Sequence, residues 1–121
     1  MDDGSALMLF EIRRDDGTTE PTSSGTFVYP DGTTEALKLA DWQIDETDMW
    51  RSDKSGGDYP SEWTIAIPKL DLTISGLPKM PDQELQTSSG SYWEGSVRFT
   101  GERAGSAINA EGYVEMTGYA R

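Results

Sequence analysis

The sequence predicts an all-β fold of eight or nine short antiparallel strands, arranged as an up-and-down barrel or a sandwich. Apolar residues recur mostly at every second position, which is the spacing of strands with one buried face. Four Trp, five Tyr and three Phe favour strands, and thirteen Gly favour the turns between them. No segment predicts a crossover helix. We therefore choose the barrel, and expect residues 1–121 to form one domain with one core.

The first predicted hairpin joins strands at residues 5–13 and 24–30 through a turn at Asp15-Asp16-Gly17. The first strand carries apolar residues on both faces: Met8, Phe10 and Ile12 on one, Leu7 and Leu9 on the other. A strand that is apolar on both faces is normally covered on both.

A second hairpin is predicted at Asp31-Gly32, because these residues tolerate the positive φ angles of a tight turn. The strand that follows spans residues 34–40. Residues 41–50 read as a further strand, with a helical turn as the alternative. Residues 52–61 (SDKSGGDYPS) are predicted to form the longest loop of the chain.

The C-terminal half alternates more regularly. Pro68 is expected to end a strand, because proline lacks the backbone N–H of the ladder. The predicted strands are residues 62–67, 70–75, 82–88, 91–100 and 107–119, with a link at 76–81. The last two strands each place one apolar row inward: Trp93, Gly95, Val97 and Phe99 on the first, and Ile108, Ala110, Gly112, Val114 and Met116 on the second.

Charge and composition exclude several classes of function. The formal charge of −12 would be repelled by a nucleic acid or an anionic membrane surface. The chain has no Cys and no His, which excludes thiolate nucleophiles, Cys or His metal sites and a Ser-His-Asp triad. We therefore expect no metal and no cofactor. The opening residues, MDDGS, resemble neither a signal peptide nor a membrane anchor, which predicts a cytoplasmic product if the gene starts at Met1, but leaves the location open for an excised domain.

Six short motifs, in order along the chain, carry a resemblance to a known family. They are residues 2–5 (DDGS), 15–17 (DDG), 59–63 (YPSEW), 83–85 (QEL), 92–97 (YWEGSV) and 112–119 (GYVEMTGY). Together they resemble the carotenoid 1,2-hydratase (hydroxyneurosporene synthase) family, within the lipocalin-like superfamily that includes AttH-like predicted secreted hydrolases. The resemblance implies a lipocalin-like barrel that corresponds to the C-terminal half of a tandem two-barrel protein. It also implies a ligand bound at or between the halves.

A ligand pocket is one interpretation of the large and small residues on the inward faces. Gly95 and Gly112 would leave room, and an aromatic wall would hold an apolar ligand. The alternative is ordinary barrel packing, in which large and small side chains alternate. The candidate ligand-binding residues are Trp93, Phe99, Trp42, Trp63 and Met116. Tyr59 and Pro60, in the predicted loop, are candidates for a lid.

Acid–base chemistry would depend on the opposite face of the same strands. Glu94, Tyr92 and Tyr113 are the candidate catalytic residues, since a carboxylate buried beside phenols could act as a general acid. If that face points outward, it is a solvated surface on which a Glu94–Arg98 pair contributes little. The outward placement is favoured, because the more apolar face should bury first.

These observations predict a binding module for a hydrophobic, lipid-like or isoprenoid-like small molecule. The alternatives are a hydratase, hydrolase or cyclase acting on such a ligand, and an interaction or structural domain without one. The doubly apolar first strand also predicts a homo-oligomer, most simply a two-fold dimer, because an open sheet edge tends to pair with another chain.

Overall fold

The computed structural model describes residues 1–120 and contains nine β-strands and two short 3-10 turns. The strands are β1 (Ala6–Phe10), β2 (Ser24–Val28), β3 (Thr34–Lys38), β4 (Gln43–Arg51), β5 (Asp58–Ile67), β6 (Leu72–Pro78), β7 (Glu84–Thr87), β8 (Gly90–Arg103) and β9 (Ser106–Met116). The turns are Leu39–Asp41, between β3 and β4, and Pro68–Leu70, between β5 and β6. The all-β prediction is confirmed.

The strands form two sheets in which every pair is antiparallel. One sheet has the order β1-β2-β3. In the other, β4, β5, β6 and β8 follow one another, and β9 pairs with the far edge of β8. Strands β6 and β7 pair with the same edge of β8: β6 with residues 97–103 and β7 with residues 90–93.

The predicted closed barrel is corrected to two sheets with open edges. Among the described residues, β3 and β4 are consecutive but not hydrogen-bonded to each other, and β1 and β9 each have one strand neighbour. The 3-10 turn Leu39–Asp41 separates β3 from β4, so the chain changes sheet there. Strand alternation predicts burial, whereas closure depends on hydrogen bonds between strands distant in sequence.

The repeated segment DGTTE forms two equivalent turns. Asp31 accepts hydrogen bonds from the backbone N–H and the hydroxyl of Thr33, and Gly32 has a φ of +88°. Asp16 and Thr18 make the same contacts around Gly17. The turn at Asp31-Gly32 joins β2 to β3, as the Asp-Gly pair predicts.

The core lies between the two sheets. Its buried apolar side chains are Phe27, Leu37, Trp42, Tyr59, Trp63, Ile67, Leu70, Leu72, Ile74, Trp93, Val97, Phe99, Ile108 and Met116. Leu7 and Leu9 of β1 pack against this core, whereas Met8, Phe10 and Ile12 are each about half exposed. We expected both faces of β1 to be buried; within residues 1–120, only the face with Leu7 and Leu9 is packed against other residues of the core.

Two predicted boundaries are corrected. The predicted loop 52–61 ends at residue 57, because the pairing of β4 with β5 continues through Trp50–Tyr59 to Arg51–Asp58. Tyr59 and Pro60 are therefore buried strand residues rather than a lid. The predicted link 76–81 begins later, since β6 continues to Pro78. Residues 43–51 form a strand, as predicted, and not the helical alternative.

The described residues include no helix that is long and apolar enough to cross a bilayer.

Candidate functional site

The inward face of β8 is packed rather than hollow at Gly95. A Cβ at this position would lie 2.2 Å from the side-chain amide of Gln83. That amide accepts a hydrogen bond from the backbone N–H of Ser96 and donates to the carbonyl oxygens of Met80 and Ser96. The space that the sequence suggested for a ligand at Gly95 therefore holds Gln83.

The ring of Phe99 fills the equivalent space beside two other glycines. A Cβ at Gly76 would lie 2.4 Å from the ring of Phe99, and a Cβ at Gly112 would lie 2.8 Å from it. These three residues come from neighbouring strands, β6, β8 and β9. Such approaches are closer than van der Waals contact, so the two glycines are required for the position of the ring.

The remaining predicted ligand-binding residues also belong to the core. Trp42, Trp63, Trp93 and Met116 are at most 7% exposed, and the rings of Trp63 and Trp93 lie 6.4 Å apart. The Trp93 indole N–H donates to the carbonyl oxygen of Pro81, and the Trp42 indole N–H donates to Glu11. The structure thus brings the five residues together in one core, and a ligand-binding role for them stays a prediction.

The predicted catalytic residues lie on the outward face. Tyr113 is 66% exposed, and Tyr92 and Glu94 are partly exposed. Local desolvation and the neighbouring Glu94 carboxylate raise the pKa of Tyr113, so its phenol stays protonated near neutral pH. The burial that would make Glu94 a general acid is not present on this face. A catalytic role for these three residues stays a prediction.

A surface groove lies on the outward face of β4, β5, β6 and β8. Its larger part has a volume of about 290 Å³ and is lined by Thr47, Glu62, Trp63, Thr64, Ser75, Gly76, Leu77, Arg98 and Thr100. A smaller part of about 160 Å³ shares Glu62 and Leu77 with it and adds Asp48, Met49, Trp50, Ser61, Pro78 and Pro81. We refer to the two parts together as the outer groove.

Two irregularities in the pairing of β4 and β5 shape the outer groove. Residue Thr47 has no partner on β5, and Ser61 has none on β4. Each is an extra residue in one strand, which bends the strand locally and increases its twist. Both residues line the groove, so the bulges and the concave surface occur at the same place.

The apolar residues of the outer groove were missed in the sequence. Leu77 is 56% exposed and Met49 is 49% exposed. In β6 the buried positions are Leu72, Ile74 and Gly76, so Leu77 belongs to the opposite face. The alternation of residues 70–75, continued by two positions, would have predicted that Leu77 faces outward. It was missed because residues 76–81 were assigned to a link.

A second cluster that the sequence did not suggest lies around Glu84. Ser52 donates a hydrogen bond of 2.7 Å to one carboxylate oxygen of Glu84, and Ser55 donates one of 2.5 Å to the other. Burial opposes ionisation of Glu84, but the serine hydroxyls outweigh it and lower its pKa. Both serines also accept backbone N–H groups of their own loop. The cluster therefore anchors residues 52–57 to β7.

Tyr59 is buried next to this anchor. Desolvation and the nearby Glu84 carboxylate raise the pKa of Tyr59 to about 12. Its hydroxyl has no partner in hydrogen-bonding geometry among residues 1–120, and its ring stacks on Trp50 at 6.0 Å. Tyr59 is therefore a neutral phenol that packs as part of the core. Within the same residues no group of three or more acidic side chains is placed to hold a metal ion.

Comparisons with known proteins agree with the architecture. A chain of 32% identity, assigned to AttH in Nitrosomonas europaea, superposes with a TM-score of 0.84 over 99% of this chain and 36% of its own length. Kievitone hydratase from Nectria haematococca superposes with a TM-score of 0.76 at 18% identity, over 95% of this chain and 35% of its own. The chain thus spans about a third of the length of these structures. No curated protein matches it significantly.

The family comparison covers nearly the whole sequence. The family model described as AttH-like matches residues 1–119, which include all nine strands and both parts of the outer groove. The resemblance seen in the short motifs is thereby confirmed at the level of the family. This chain belongs to the AttH-like family.

Proposed function

We propose that this chain is a binding module for a hydrophobic, lipid-like or isoprenoid-like small molecule, and that the outer groove holds the ligand. The observation that carries the proposal is the exposure of Leu77 and Met49 in a concave surface. Small-molecule sites are mostly concave and apolar with a few polar groups. Gln83 and Phe99 occupy the space beside the inward-facing glycines, which supports a site on the surface of the sheet rather than inside it.

The size and lining of the outer groove support this assignment. Its larger part, about 290 Å³, is near the lower end of the range of about 300–1,000 Å³ for ligand pockets. Leu77 borders both parts, so an extended apolar molecule could contact Leu77 and Met49 together. Threonine and serine hydroxyls at the larger end supply polar groups that would orient such a molecule.

Titration with Nile red, a neutral apolar dye, tests the proposal. Leu77→Ser should weaken binding about three- to tenfold, because part of the contact with a leucine side chain is lost. Leu85→Ser is the matched control, since Leu85 is 40% exposed on β7 and lies outside the groove. Phe10→Ser controls for binding to the exposed apolar face of β1.

Two results would overturn the proposal. Equal affinities for wild type, Leu77→Ser and Leu85→Ser would place any dye site outside the groove. Absence of dye binding, together with no co-purified small molecule in native mass spectrometry, would favour a structural or interaction domain. Circular dichroism of each variant checks that the fold is retained.

An enzymatic alternative rests on the proximity of Glu94 and Tyr113 and on the structural similarity to a hydratase. It would make this chain part of a hydratase, hydrolase or cyclase acting on the same class of ligand. Turnover assays of wild type and Glu94→Gln distinguish the two functions. Activity lost in Glu94→Gln with dye binding intact would favour the enzyme.

A further inference from the structure

Among residues 1–120, the Arg98 side chain is a cation without an ion-pair partner, in a chain that is acidic overall. Six of the nine basic residues among residues 1–120 form ion pairs with carboxylates: Arg14, Arg51, Lys54, Lys69, Lys79 and Arg103. The backbone of Arg98 is paired within the sheet, but its exposed side chain forms no ion pair and no hydrogen bond with any residue of that described part. With 22 acidic residues in the chain, a guanidinium left without a carboxylate is available to an external anion.

The surroundings of Arg98 combine this charge with apolar and hydroxyl groups. Leu77 is its direct partner across β6 and β8, and both side chains line the outer groove. Ser75 and Thr100 are also cross-strand partners, two positions further along the same two strands and on the same face. Thr64 continues that row on β5, with its hydroxyl 3.4 Å from that of Ser75. A cation, a row of hydroxyls and an exposed leucine thus share one concave surface.

We propose that the outer groove binds a carboxylate amphiphile, with its carboxylate on Arg98 and its hydrocarbon chain across Leu77 towards Met49 and Trp50. This inference rests on the proposed function and adds the class of ligand to it. Arginine is suited to the role, because its planar guanidinium can donate two parallel hydrogen bonds to one carboxylate. The hydroxyls of Ser75 and Thr100 can donate to the same group.

The other charges of the outer groove fix the orientation of the ligand. Glu62 lies on β5, two strands from Arg98, so their Cα atoms are about 10 Å apart. Asp48 is the cross-strand partner of Glu62 on β4. A carboxylate near these acids would be repelled, whereas Glu111, the partner of Arg98 on β9, is paired with Lys79 at 3.1 Å. The anionic end is therefore directed to the β8 side of the groove and the apolar end to the β4 side.

Calorimetric titrations with laurate and with 1-dodecanol, both below their aggregation limits, test the inference. The two probes share a chain length and differ in the charge of the head. We expect wild type to bind laurate at least about tenfold more tightly than dodecanol. Arg98→Gln should remove this preference while leaving dodecanol affinity unchanged, because the apolar contacts remain. Glu62→Gln should strengthen laurate binding, since it removes a like charge from the same groove.

Arg51→Gln is the matched control, because Arg51 is an exposed strand arginine that pairs with Asp58 outside the groove. It should leave both affinities unchanged. Equal affinities for laurate and dodecanol in wild type, or a laurate preference that survives Arg98→Gln, would overturn the carboxylate inference and leave the hydrophobic site intact. Failure of wild type to bind either probe would instead reject the proposed function.

Discussion

At the scale of single residues, the position of the Phe99 ring depends on the missing side chain of Gly76. A methyl group at Gly76 would lie 2.4 Å from the ring, so Gly76→Ala must displace it. Overpacking of this kind costs about 1–3 kcal/mol of the free energy of unfolding. We expect Gly76→Ala to lose stability in that range in urea unfolding, and Ser75→Ala, on the opposite face, to change it by less than about 0.5 kcal/mol.

A double-mutant cycle isolates the contact. Phe99→Leu removes part of the ring that the new methyl group meets, so the cost of Gly76→Ala should fall by at least about 0.5 kcal/mol in the Phe99→Leu background. If the costs of the two substitutions simply add, the ring does not depend on Gly76. The interpretation of the core as filled would then be wrong.

Residue alternation predicted which side chains face the core but not what fills the space beside small ones. Trp93, Val97 and Phe99 are buried, as their spacing predicts. The occupant of the gap at Gly95 is Gln83, twelve residues away and held by hydrogen bonds to a neighbouring strand. Such a partner is fixed by tertiary register. The sequence therefore could not distinguish a ligand pocket from packing.

At the scale of elements, the N-terminal segment that precedes β1 is tied to the end of β8. Asp3 accepts hydrogen bonds from the backbone N–H and hydroxyl of Ser5, and the Arg103 guanidinium donates to it at 2.9 Å. Burial opposes ionisation of Asp3, but these contacts outweigh it and lower its pKa to about 2. The carboxylate therefore links the three-stranded sheet to the larger one.

Asp3→Asn tests this link. The folded-state pKa of Asp3 lies below its usual value of 3.8, so its contribution to stability is present above about pH 4 and is lost as the pH falls towards 2. We expect Asp3→Asn to lower the free energy of unfolding by about 1 kcal/mol at pH 7, after allowance for solvent screening, and by less near pH 2.5. Asp53→Asn, in an exposed loop, should have no effect at either pH. A pH-independent loss would mean that shape rather than charge matters at Asp3.

Elements were more predictable than their assembly. All nine strands overlap predicted ones, because alternation and Gly-containing turns are local signals. The extension of β5 back to Asp58 was missed, since residues 52–61 are rich in turn-forming residues. Pairing between distant strands decides whether a barrel closes, and a single sequence carries little information about that pairing.

At the scale of the whole molecule, one sheet presents an apolar outward face. Met8, Phe10 and Ile12 are 53%, 43% and 51% exposed, and the cross-strand partners of Ala6 and Met8 are Val28 and Thr26. Strand β1 pairs with β2 alone among the described strands, so its other edge has free backbone groups. An apolar face next to an open edge is typical of a surface that pairs with another chain.

We therefore expect a two-fold dimer in which β1 of one chain meets β1 of a second copy. In a two-fold contact each substitution acts twice, so Met8→Lys would place two like charges in one interface. Light scattering at high micromolar concentration should report a dimer for wild type and a monomer for Met8→Lys. Leu85→Lys introduces the same charge at an exposed leucine on β7 and should leave the dimer intact. A wild-type monomer would reject the dimer, and a dimer that survives Met8→Lys would move the contact away from β1. Because β1 and the outer groove belong to different sheets, dimer formation should leave the affinity for Nile red unchanged.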